Sequence, residues 1–332
     1  MQKSLDAKLR KLQADSSCNE FILADAKDAD MAFGLAATGS CATSQRPRTL
    51  DEYRDQIRAV VKQGLIDISL MSASTAEVLS AEEGLFADST VTPAIRMNDS
   101  TDIWLAAGTG NYAEQPSLPH RSASIEHVLG LSDQGSTPLA TLGLYSITMN
   151  NNASADRATL EAFAQFRREA VSLGLRYFLE VFPPNAPGPR APADEGAFVR
   201  DTVIRVLAGL TRAERPQFLK IPYLGPELTE QLASYDSSVI LGIMGGASGT
   251  THDAFALLAS AKQHGVRAAL FGRRINNAED QCAFVQHLRG IADGELKPQE
   301  AVRSYHAELE RCAITPHRSL NEDLELTPSS FS

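Results

Sequence analysis

The stretch Phe218-Leu-Lys-Ile-Pro-Tyr223 is a short apolar segment with one lysine in its middle. Its branched and aromatic residues favour a β-strand, and a lysine is rarely buried in a strand unless its charge is paired. The ammonium group must therefore reach an open end of the strand, pair with an acid, or lose its proton. Two interpretations follow: Lys220 is an amine nucleophile, or it belongs to a structural ion pair.

On both sides of this stretch, strand-like segments alternate with helical ones. The predicted strands are Phe21–Asp25, Leu65–Met71, Val91–Asp99, Leu142–Thr148, Tyr177–Pro183, Phe218–Tyr223, Val239–Met244 and Ala268–Arg274. Helical patterns are predicted over residues 50–63, 74–84, 158–173, 196–211, 226–234, 252–264 and 278–291. Eight strands alternating with helices predict an α/β protein with a (β/α)8 TIM barrel. A doubly wound open sheet would show a glycine fingerprint after the first strand, which this sequence lacks.

The chain of 332 residues suits one large barrel domain. We predict an N-terminal helical segment at residues 1–18, the barrel at 19–312, and a polar tail at 313–332 that wraps around a neighbouring subunit of a homo-oligomer. Residues 100–138 interrupt the alternation as a long loop, which in a barrel lies over the active face when it follows a strand.

Composition excludes several classes of function. The net charge of −10 and the pI near 5.2 argue against nucleic-acid binding, which needs a basic face. No apolar run is long enough for a membrane span, and the N-terminus lacks the apolar core of a signal peptide. The four cysteines show neither CxxC spacing nor a neighbouring histidine cluster. We therefore expect a cytoplasmic protein with reduced thiols, no metal and no other cofactor.

The chemistry of a barrel lies at the C-terminal ends of its strands, and Lys220 is the leading candidate there. At neutral pH about one ordinary lysine in 2,500 is unprotonated, which corresponds to about 4.6 kcal/mol. Apolar neighbours and a second cation would lower that cost, and Lys27, just after the first strand, is the candidate cation. A neutral Lys220 amine could condense with a carbonyl carbon to form an imine, which acts as an electron sink.

Other candidate catalytic residues follow from polar groups in apolar strands. Glu180 is interpreted as a proton shuttle or as the residue that orients Lys220, with a structural counter-ion as the alternative. Asp25 is a candidate contact for substrate hydroxyls, whereas Asp28 is interpreted as a loop or helix-start residue. Tyr145 is a possible proton donor, or an aromatic residue that fills the barrel.

Two glycine turns predict a site for a substrate phosphate. The turn after the seventh strand offers backbone N–H groups followed by a helix N-terminus, and the turn after the eighth strand adds a positive charge. Barrels commonly hold phosphate in the loops after these two strands. The candidate phosphate ligands are Gly245, Gly246, Ser248, Gly272 and Arg273.

In the segments FLKIPYLG, ILGIMGG and ALFGRR, the sequence resembles the bacterial and archaeal class I fructose-bisphosphate aldolases. That family also includes tagatose-bisphosphate aldolase and related Schiff-base lyases. The resemblance spans roughly residues 10–292 and implies that Lys220 forms the Schiff base with a phosphorylated sugar or ketose. Members with the archaeal pattern have a proton-donating tyrosine at the end of strand five, where this chain has Phe182.

Two alternatives remain at this point. The Asp25-Ala-Lys27-Asp28-Ala-Asp30 run resembles the DxKxxD array of the orotidine-phosphate decarboxylase superfamily, which also consists of phosphate-binding barrels. The other alternative is an aldolase-like barrel that binds a ligand without catalysis.

Overall fold

The computed structural model describes residues 1–40, 46–106, 114–132, 136–186, 192–246 and 249–327, with only the backbone for residues 104–106. The strands in this part of the chain are β1 (Ile22–Lys27), β2 (Ile68–Met71), β3 (Thr92–Arg96), β4 (Asn98–Ser100), β5 (Pro119–Arg121), β6 (Leu142–Thr148), β7 (Arg176–Phe182), β8 (Leu219–Lys220), β9 (Gly242–Met244) and β10 (Ala268–Phe271).

The helices alternate with these strands. They are α1 (Ser4–Ala14), α2 (Asp30–Phe33), α3 (Leu50–Gln63), α4 (Ala73–Ala76), α5 (Thr101–Ala106), α6 (Ile125–Val128), α7 (Ala153–Leu173), α8 (Glu195–Ala208), α9 (Pro226–Tyr235), α10 (Thr251–Gln263), α11 (Arg273–Asn276), α12 (Gln281–Asp293), α13 (Pro298–Arg311) and α14 (Leu320–Asp323).

Eight parallel strands form a barrel in the order β8-β7-β6-β3-β2-β1-β10-β9. The first and last strands of this order meet through three backbone hydrogen bonds of 2.9 Å. They run from Leu219 N–H to the Ile240 carbonyl, from Ile221 N–H to the Gly242 carbonyl and from Met244 N–H to the Ile221 carbonyl. The predicted (β/α)8 barrel is thereby confirmed. Strand β8 is shorter than predicted because Pro222 has no N–H to continue the hydrogen-bond ladder.

Side chains of each strand alternate between two apolar layers. The larger layer lies between the strands and the outer helices, and the smaller one fills the barrel interior. Leu5, Leu9 and Leu12 of α1 belong to the interior layer together with residues near the strand starts, such as Ile22 and Phe218. The N-terminal helix therefore closes the bottom of the barrel and leaves the C-terminal end of the strands for a site.

The long segment between β3 and β6 is partly structured. Strands β4 and β5 pair as an antiparallel ribbon, and Asn98 ties this ribbon to the barrel. The Asn98 side-chain amide donates to the Ser146 carbonyl at 2.9 Å, and the Ser146 N–H donates to Asn98 Oδ1 at 2.7 Å.

The C-terminal tail packs on its own chain, and its expected wrapping around a neighbouring subunit stays a prediction. The Asp323 carboxylate accepts a hydrogen bond of 2.7 Å from Thr251 N–H, in the first turn of α10. A second hydrogen bond of 2.9 Å joins Asp323 to His306 of α13. Thr250 Oγ1 donates to the Glu325 carbonyl at 2.7 Å. Among the described helices, none has the combination of length and apolar character needed to cross a membrane.

Candidate active site

A cavity of about 240 Å³ opens at the C-terminal end of the barrel. Its volume equals that of about eight water molecules, so it suits a small metabolite. Its charged lining residues are Asp28, Arg96, Glu180, Lys220 and Arg273. Two larger grooves, of about 590 and 670 Å³, lie on the outer surface and include neither Glu180 nor Lys220 in their linings.

Lys220 and Glu180 form an ion pair inside this cavity. The two residues are aligned on adjacent strands β8 and β7, and the distance from Lys220 Nζ to Glu180 Oε1 is 2.6 Å. Their side chains are 9% and 2% exposed, so the pair is nearly dry but still reaches the cavity. Lys220 therefore has the acid partner that both sequence interpretations allow, and Glu180 is placed where it could exchange a proton with the amine.

Ser146 fixes the other oxygen of Glu180. The Ser146 hydroxyl donates to Glu180 Oε2 at 2.6 Å, and the two residues face each other across β6 and β7. Because the Asn98 side chain hydrogen-bonds both the N–H and the carbonyl of Ser146, the backbone that carries the hydroxyl is fixed. The carboxylate is thus oriented through both oxygens. Sequence reasoning missed Ser146, whose small polar side chain in an apolar strand was the available signal.

Arg96, rather than Lys27, is the second buried cation of the cavity. Arg96 Nη1 lies 2.9 Å from Asp28 Oδ2, and Arg96 Nε lies 3.1 Å from Asp99 Oδ1. Burial disfavours the charged guanidinium, but Asp28, Glu180 and Asp99 outweigh that effect and raise the pKa of Arg96 above its usual value. Asp28, expected to be only a loop or helix-start residue, therefore belongs to the site.

Asp25 and Lys27 lie on the outer face of β1, away from the cavity. Both are fully buried, with 3.6 Å between Lys27 Nζ and Asp25 Oδ1. Lys27 also donates to Gln281 Oε1 at 2.8 Å, and its ammonium lies 6.0 Å from the centre of the Tyr53 ring. Burial raises the pKa of Asp25 to about 6, against the opposing effect of Lys27. These contacts are with the helix layer, so neither residue meets a substrate in the cavity.

Tyr145 is also placed outside the cavity. It belongs to the outer apolar layer and stacks on Phe166 of α7 with 4.3 Å between ring centres. Burial raises the pKa of Tyr145 to about 12. Its neighbours Ser146 and Leu144 point the opposite way because side chains alternate along a strand. The interpretation as a packed aromatic residue agrees with this position, and the proton-donor interpretation does not.

The two glycine turns and Arg273 line the same cavity as Lys220. A Cβ atom at Gly245 would lie 2.3 Å from the Phe271 ring, and one at Gly272 would lie 2.9 Å from the Ala26 carbonyl. Only glycine therefore lets these backbones approach so closely. Arg273 is exposed and makes no ion pair within the described residues. Ser248, the remaining predicted phosphate ligand, lies outside the described residues.

The N-terminus of α10, which was expected to help bind an anion, is largely occupied by the protein itself. Thr250 N–H donates to Asp253 Oδ2 at 2.7 Å, and Asp253 N–H donates to Thr250 Oγ1 at 3.1 Å. Thr251 N–H donates to Asp323 of the tail. The tail was not recognised from sequence as the partner of this helix. An anion in the cavity would therefore meet the glycine backbones and Arg273 instead of the α10 N-terminus.

Comparisons with solved structures match the whole barrel. An archaeal fructose 1,6-bisphosphate aldolase has a TM-score of 0.61 at 16% sequence identity, covering 86% of this chain and 99% of that chain. A Schiff base-forming fructose-1,6-bisphosphate aldolase has a TM-score of 0.62 at 16% identity, with coverages of 86% and 99%. A Corynebacterium glutamicum protein has a TM-score of 0.59 at 15% identity, with coverages of 88% and 94%.

No protein-family model matches the sequence, and no curated protein matches it significantly. Within the described ranges, no group of three or more His, Cys, Asp or Glu residues is arranged to hold a metal ion. Identities of 16% to structures that cover nearly the whole barrel show a common fold. The chain is a (β/α)8 barrel that resembles, in sequence motifs and in fold, the fructose-1,6-bisphosphate aldolases that form a Schiff base.

Proposed function

We propose that this protein is a class I aldolase, a lyase that cleaves or forms a carbon–carbon bond in a phosphorylated sugar or ketose through an imine at Lys220. The observation that carries the proposal is the buried Lys220–Glu180 pair of 2.6 Å, which opens into the same cavity as the two glycine turns. A purely structural ion pair would not need an open cavity beside it. The similarity to Schiff base-forming aldolases supports the same chemistry.

Glu180 allows Lys220 to become a nucleophile. It accepts one proton from the ammonium group, and the free amine attacks the substrate ketone carbon to give a carbinolamine. Glu180 returns the proton to the departing oxygen, which leaves as water. The ammonium group and the ketone together give a protonated imine and one water, so Glu180 ends this step as a carboxylate.

The protonated imine then accepts the electrons of the breaking bond. The Glu180 carboxylate takes the proton from the hydroxyl group β to the imine carbon, and the adjacent carbon–carbon bond breaks to an aldehyde and an enamine. Return of the proton to the enamine carbon restores an imine, which water hydrolyses to the ketone product and free Lys220. Ser146 holds the Glu180 carboxylate in place during both transfers.

The substrate phosphate is proposed to bind at Gly245, Gly246, Gly272 and Arg273, with Ser248 as a further predicted ligand. Arg273 supplies a charge that no acid neutralises within the described residues, and bare glycine backbones allow a phosphate to approach closely. The cytoplasmic location and the homo-oligomeric assembly stay predictions.

The decarboxylase alternative loses its main support, because Asp25 and Lys27 face the helix layer. Asp30, the third member of that array, accepts a hydrogen bond of 2.6 Å from the Ser72 hydroxyl. A catalytic array would have to meet the substrate inside the cavity.

Imine trapping tests the proposal. Wild-type protein treated with dihydroxyacetone phosphate and borohydride should carry a reduced adduct on the peptide that contains Lys220. Lys220→Ala should keep the fold, lose the adduct and lose all measurable turnover. Lys27→Met serves as a control for a buried lysine outside the cavity, and its adduct should form at Lys220 as in the wild type. An adduct on another lysine, or activity in Lys220→Ala, would refute the assignment.

A further inference from the structure

Part of the cavity around Lys220 is formed by apolar side chains that the mechanism above does not use. They are Ala29, Ala32, Phe33, Ile103 and Phe182. Ala32 and Phe33 belong to α2, which packs against α5, the helix that carries Ile103. Phe33 is 39% exposed, and Ile103 and Phe182 are half-buried. We call these five residues the apolar wall.

Lys220 lies between the apolar wall and the glycine turns. Its strand β8 has β7 on one side, which ends at Phe182, and β9 on the other, which runs into the turn at Gly245. Phe182 points the same way as Glu180 because side chains alternate along a strand, and both residues line the cavity. A substrate whose phosphate lies at the glycine turns and whose ketone meets Lys220 therefore places its other half against the wall.

The charges beside the apolar wall disfavour a second anion there. Arg96 is buried at this place, and three acids act on its guanidinium, namely Asp28, Glu180 and Asp99. Asp28 lies 2.9 Å from Arg96 Nη1, and Asp99 lies 3.1 Å from Arg96 Nε. Even with Lys220 charged, two cations face three acids among the residues that the structure describes. A phosphate or carboxylate against the wall would add a further negative charge to a nearly dry site.

An uncharged oxygen, in contrast, has a donor available. Arg96 Nη2 is buried and has no hydrogen-bond partner in the described part of the chain. The Arg96 guanidinium is fixed through its other two nitrogens, so Nη2 is held in place. An aldehyde oxygen accepts a hydrogen bond without bringing a charge, and a buried donor that lacks a partner is stabilised by such an acceptor.

We propose that the half of the substrate that leaves as the aldehyde is short, uncharged and apolar, and that the apolar wall selects it. This inference rests on the proposed function and narrows its substrate to a ketose with one phosphate group and an aliphatic chain beyond the cleaved bond. The cavity of about 240 Å³ holds only a short chain in addition to a three-carbon phosphate.

The reaction in the synthetic direction gives the simplest test. Lys220 and dihydroxyacetone phosphate form the enamine, whose carbon forms the new bond to the aldehyde carbon. The aldehyde oxygen takes the proton that Glu180 removed when the enamine formed, and becomes the new hydroxyl group. Water then releases the ketose phosphate from Lys220, so no other reactant is needed.

Kinetics with three aldehydes test the selection. Propanal and glyceraldehyde have the same carbon chain, glyceraldehyde carries two more hydroxyl groups, and glyceraldehyde 3-phosphate adds a charge. We expect kcat/KM, measured from the consumption of dihydroxyacetone phosphate, to be about ten- to a hundredfold higher for propanal than for glyceraldehyde, because an apolar pocket rejects an added hydroxyl group to about this extent. The value for glyceraldehyde 3-phosphate should be the lowest. A value for propanal at or below either of the others would overturn the proposal.

Two variants of one wall residue test whether the wall is the cause. Ile103→Val and Ile103→Thr have side chains of nearly equal shape, but threonine places a hydroxyl group in the wall. The preference for propanal over glyceraldehyde should be about tenfold smaller in Ile103→Thr than in Ile103→Val. Val171→Thr makes the same exchange at an exposed position of α7 that does not line the cavity, and should keep the wild-type preference. Equal preferences in the two Ile103 variants would refute selection by the wall.

Trapping with dihydroxyacetone phosphate and borohydride separates this inference from the proposed function. Ile103→Thr should form the adduct on Lys220 as the wild type does, because the trapped ketone does not reach the wall. If the wild type is trapped but shows no preference for propanal, this inference falls alone. If the wild type forms neither an adduct nor a product with any aldehyde, the proposed function falls and this inference falls with it.

Discussion

At the scale of single residues, the two oxygens of Glu180 have different partners. Oε1 contacts Lys220, and Oε2 accepts from Ser146. If Glu180 carries protons for the imine, its replacement by an amide should affect the rate far more than the fold, because glutamine fits the same space but cannot accept the ammonium proton.

We expect Glu180→Gln to lower kcat by about 10²- to 10⁴-fold, the usual contribution of general acid–base catalysis. Steady-state kinetics and the rate of adduct formation with borohydride would both show the loss. Tyr145→Phe is the matched control, because its ring stacks on Phe166 outside the cavity, and its kcat should stay within about twofold of the wild type. A large fall in kcat for Tyr145→Phe, together with an unchanged kcat for Glu180→Gln, would mean that Tyr145 rather than Glu180 transfers the proton.

The buried carboxyl group of Asp25 predicts a pH dependence of stability. Its pKa of about 6 in the folded protein compares with about 3.9 in an unfolded chain. Between these values the folded state holds a proton that the unfolded state releases, so the free energy of unfolding falls as the pH rises from about 4 to about 6. The expected fall is roughly 3 kcal/mol, from about two pH units at about 1.36 kcal/mol each.

Urea denaturation of the wild type and Asp25→Asn across this pH range isolates the effect. The variant has no carboxyl group to titrate, so it should gain roughly 3 kcal/mol relative to the wild type between about pH 4 and pH 6. Exposed Asp88→Asn should follow the wild type at every pH. If the free energy of unfolding depended on pH in the same way for the wild type and Asp25→Asn, burial would not raise the pKa of Asp25.

Which residues of β1 face the cavity was not predictable from sequence. Strands of a parallel barrel are buried on both faces, so their polar and apolar residues need not alternate as in a half-exposed strand. The polar pair Asp25 and Lys27 therefore drew the functional interpretation, although Ala24 and Ala26 face inward. Lys220 and Glu180 were predictable because each is the single charged residue in its predicted apolar strand.

At the scale of elements, the strands β8 and β9 close the barrel at a glycine. A Cβ atom at Gly242 would lie 2.3 Å from the Leu219 carbonyl oxygen and 3.1 Å from the Ala268 Cβ. The Gly242 carbonyl also accepts one of the three hydrogen bonds that join these strands. A larger side chain must therefore push the two strands apart.

Gly242→Ala is expected to lower the free energy of unfolding by about 1–3 kcal/mol, as for other overpacked cores. Gly209→Ala is the control, because its Cβ would lie 3.6 Å from the nearest atom and its φ of −82° suits alanine. Its stability should change by less than about 1 kcal/mol. Chemical denaturation measures the free energy of unfolding of both variants. An unchanged value for Gly242→Ala would contradict the expectation that its methyl group pushes β8 and β9 apart.

The predicted elements were most accurate where the strand–helix alternation is regular. Strand β6 and helix α3 have the predicted bounds, and α3 begins with a capping box and ends at Gly64 in a left-handed conformation. Helix α13 was missed, although Pro298 at its start and the buried Val302, Tyr305 and Leu309 have helical spacing. The ribbon of β4 and β5 is too short to show strand alternation, so Asn98 and Asp99 of β4 were predicted as the end of the third strand and β5 as part of the loop at 100–138.

At the scale of the whole molecule, the tail joins the barrel as part of one unit. His252 Nδ1–H donates to the Leu324 carbonyl at 2.7 Å, and Thr327 N–H donates to Asp253 Oδ1 at 2.9 Å. Leu320 and Leu324 also pack against the outer apolar layer. The first turn of α10 is therefore held by hydrogen bonds to the tail, although Thr327 and Asp253 are 74 positions apart in the sequence.

Asp323→Asn should weaken this attachment, because the charged acceptor for Thr251 N–H and His306 is lost. Hydrogen bonds to charged groups contribute about 1.5–3 kcal/mol, so the melting temperature of a chain of this length should fall by roughly 2–4 °C. Glu325→Gln is the control, because that residue contributes its backbone carbonyl rather than its exposed carboxylate. Calorimetry at two protein concentrations distinguishes the partners of the tail. A fall that is independent of concentration means that the tail stabilises its own barrel, whereas a fall that grows on dilution means that it binds a neighbouring subunit.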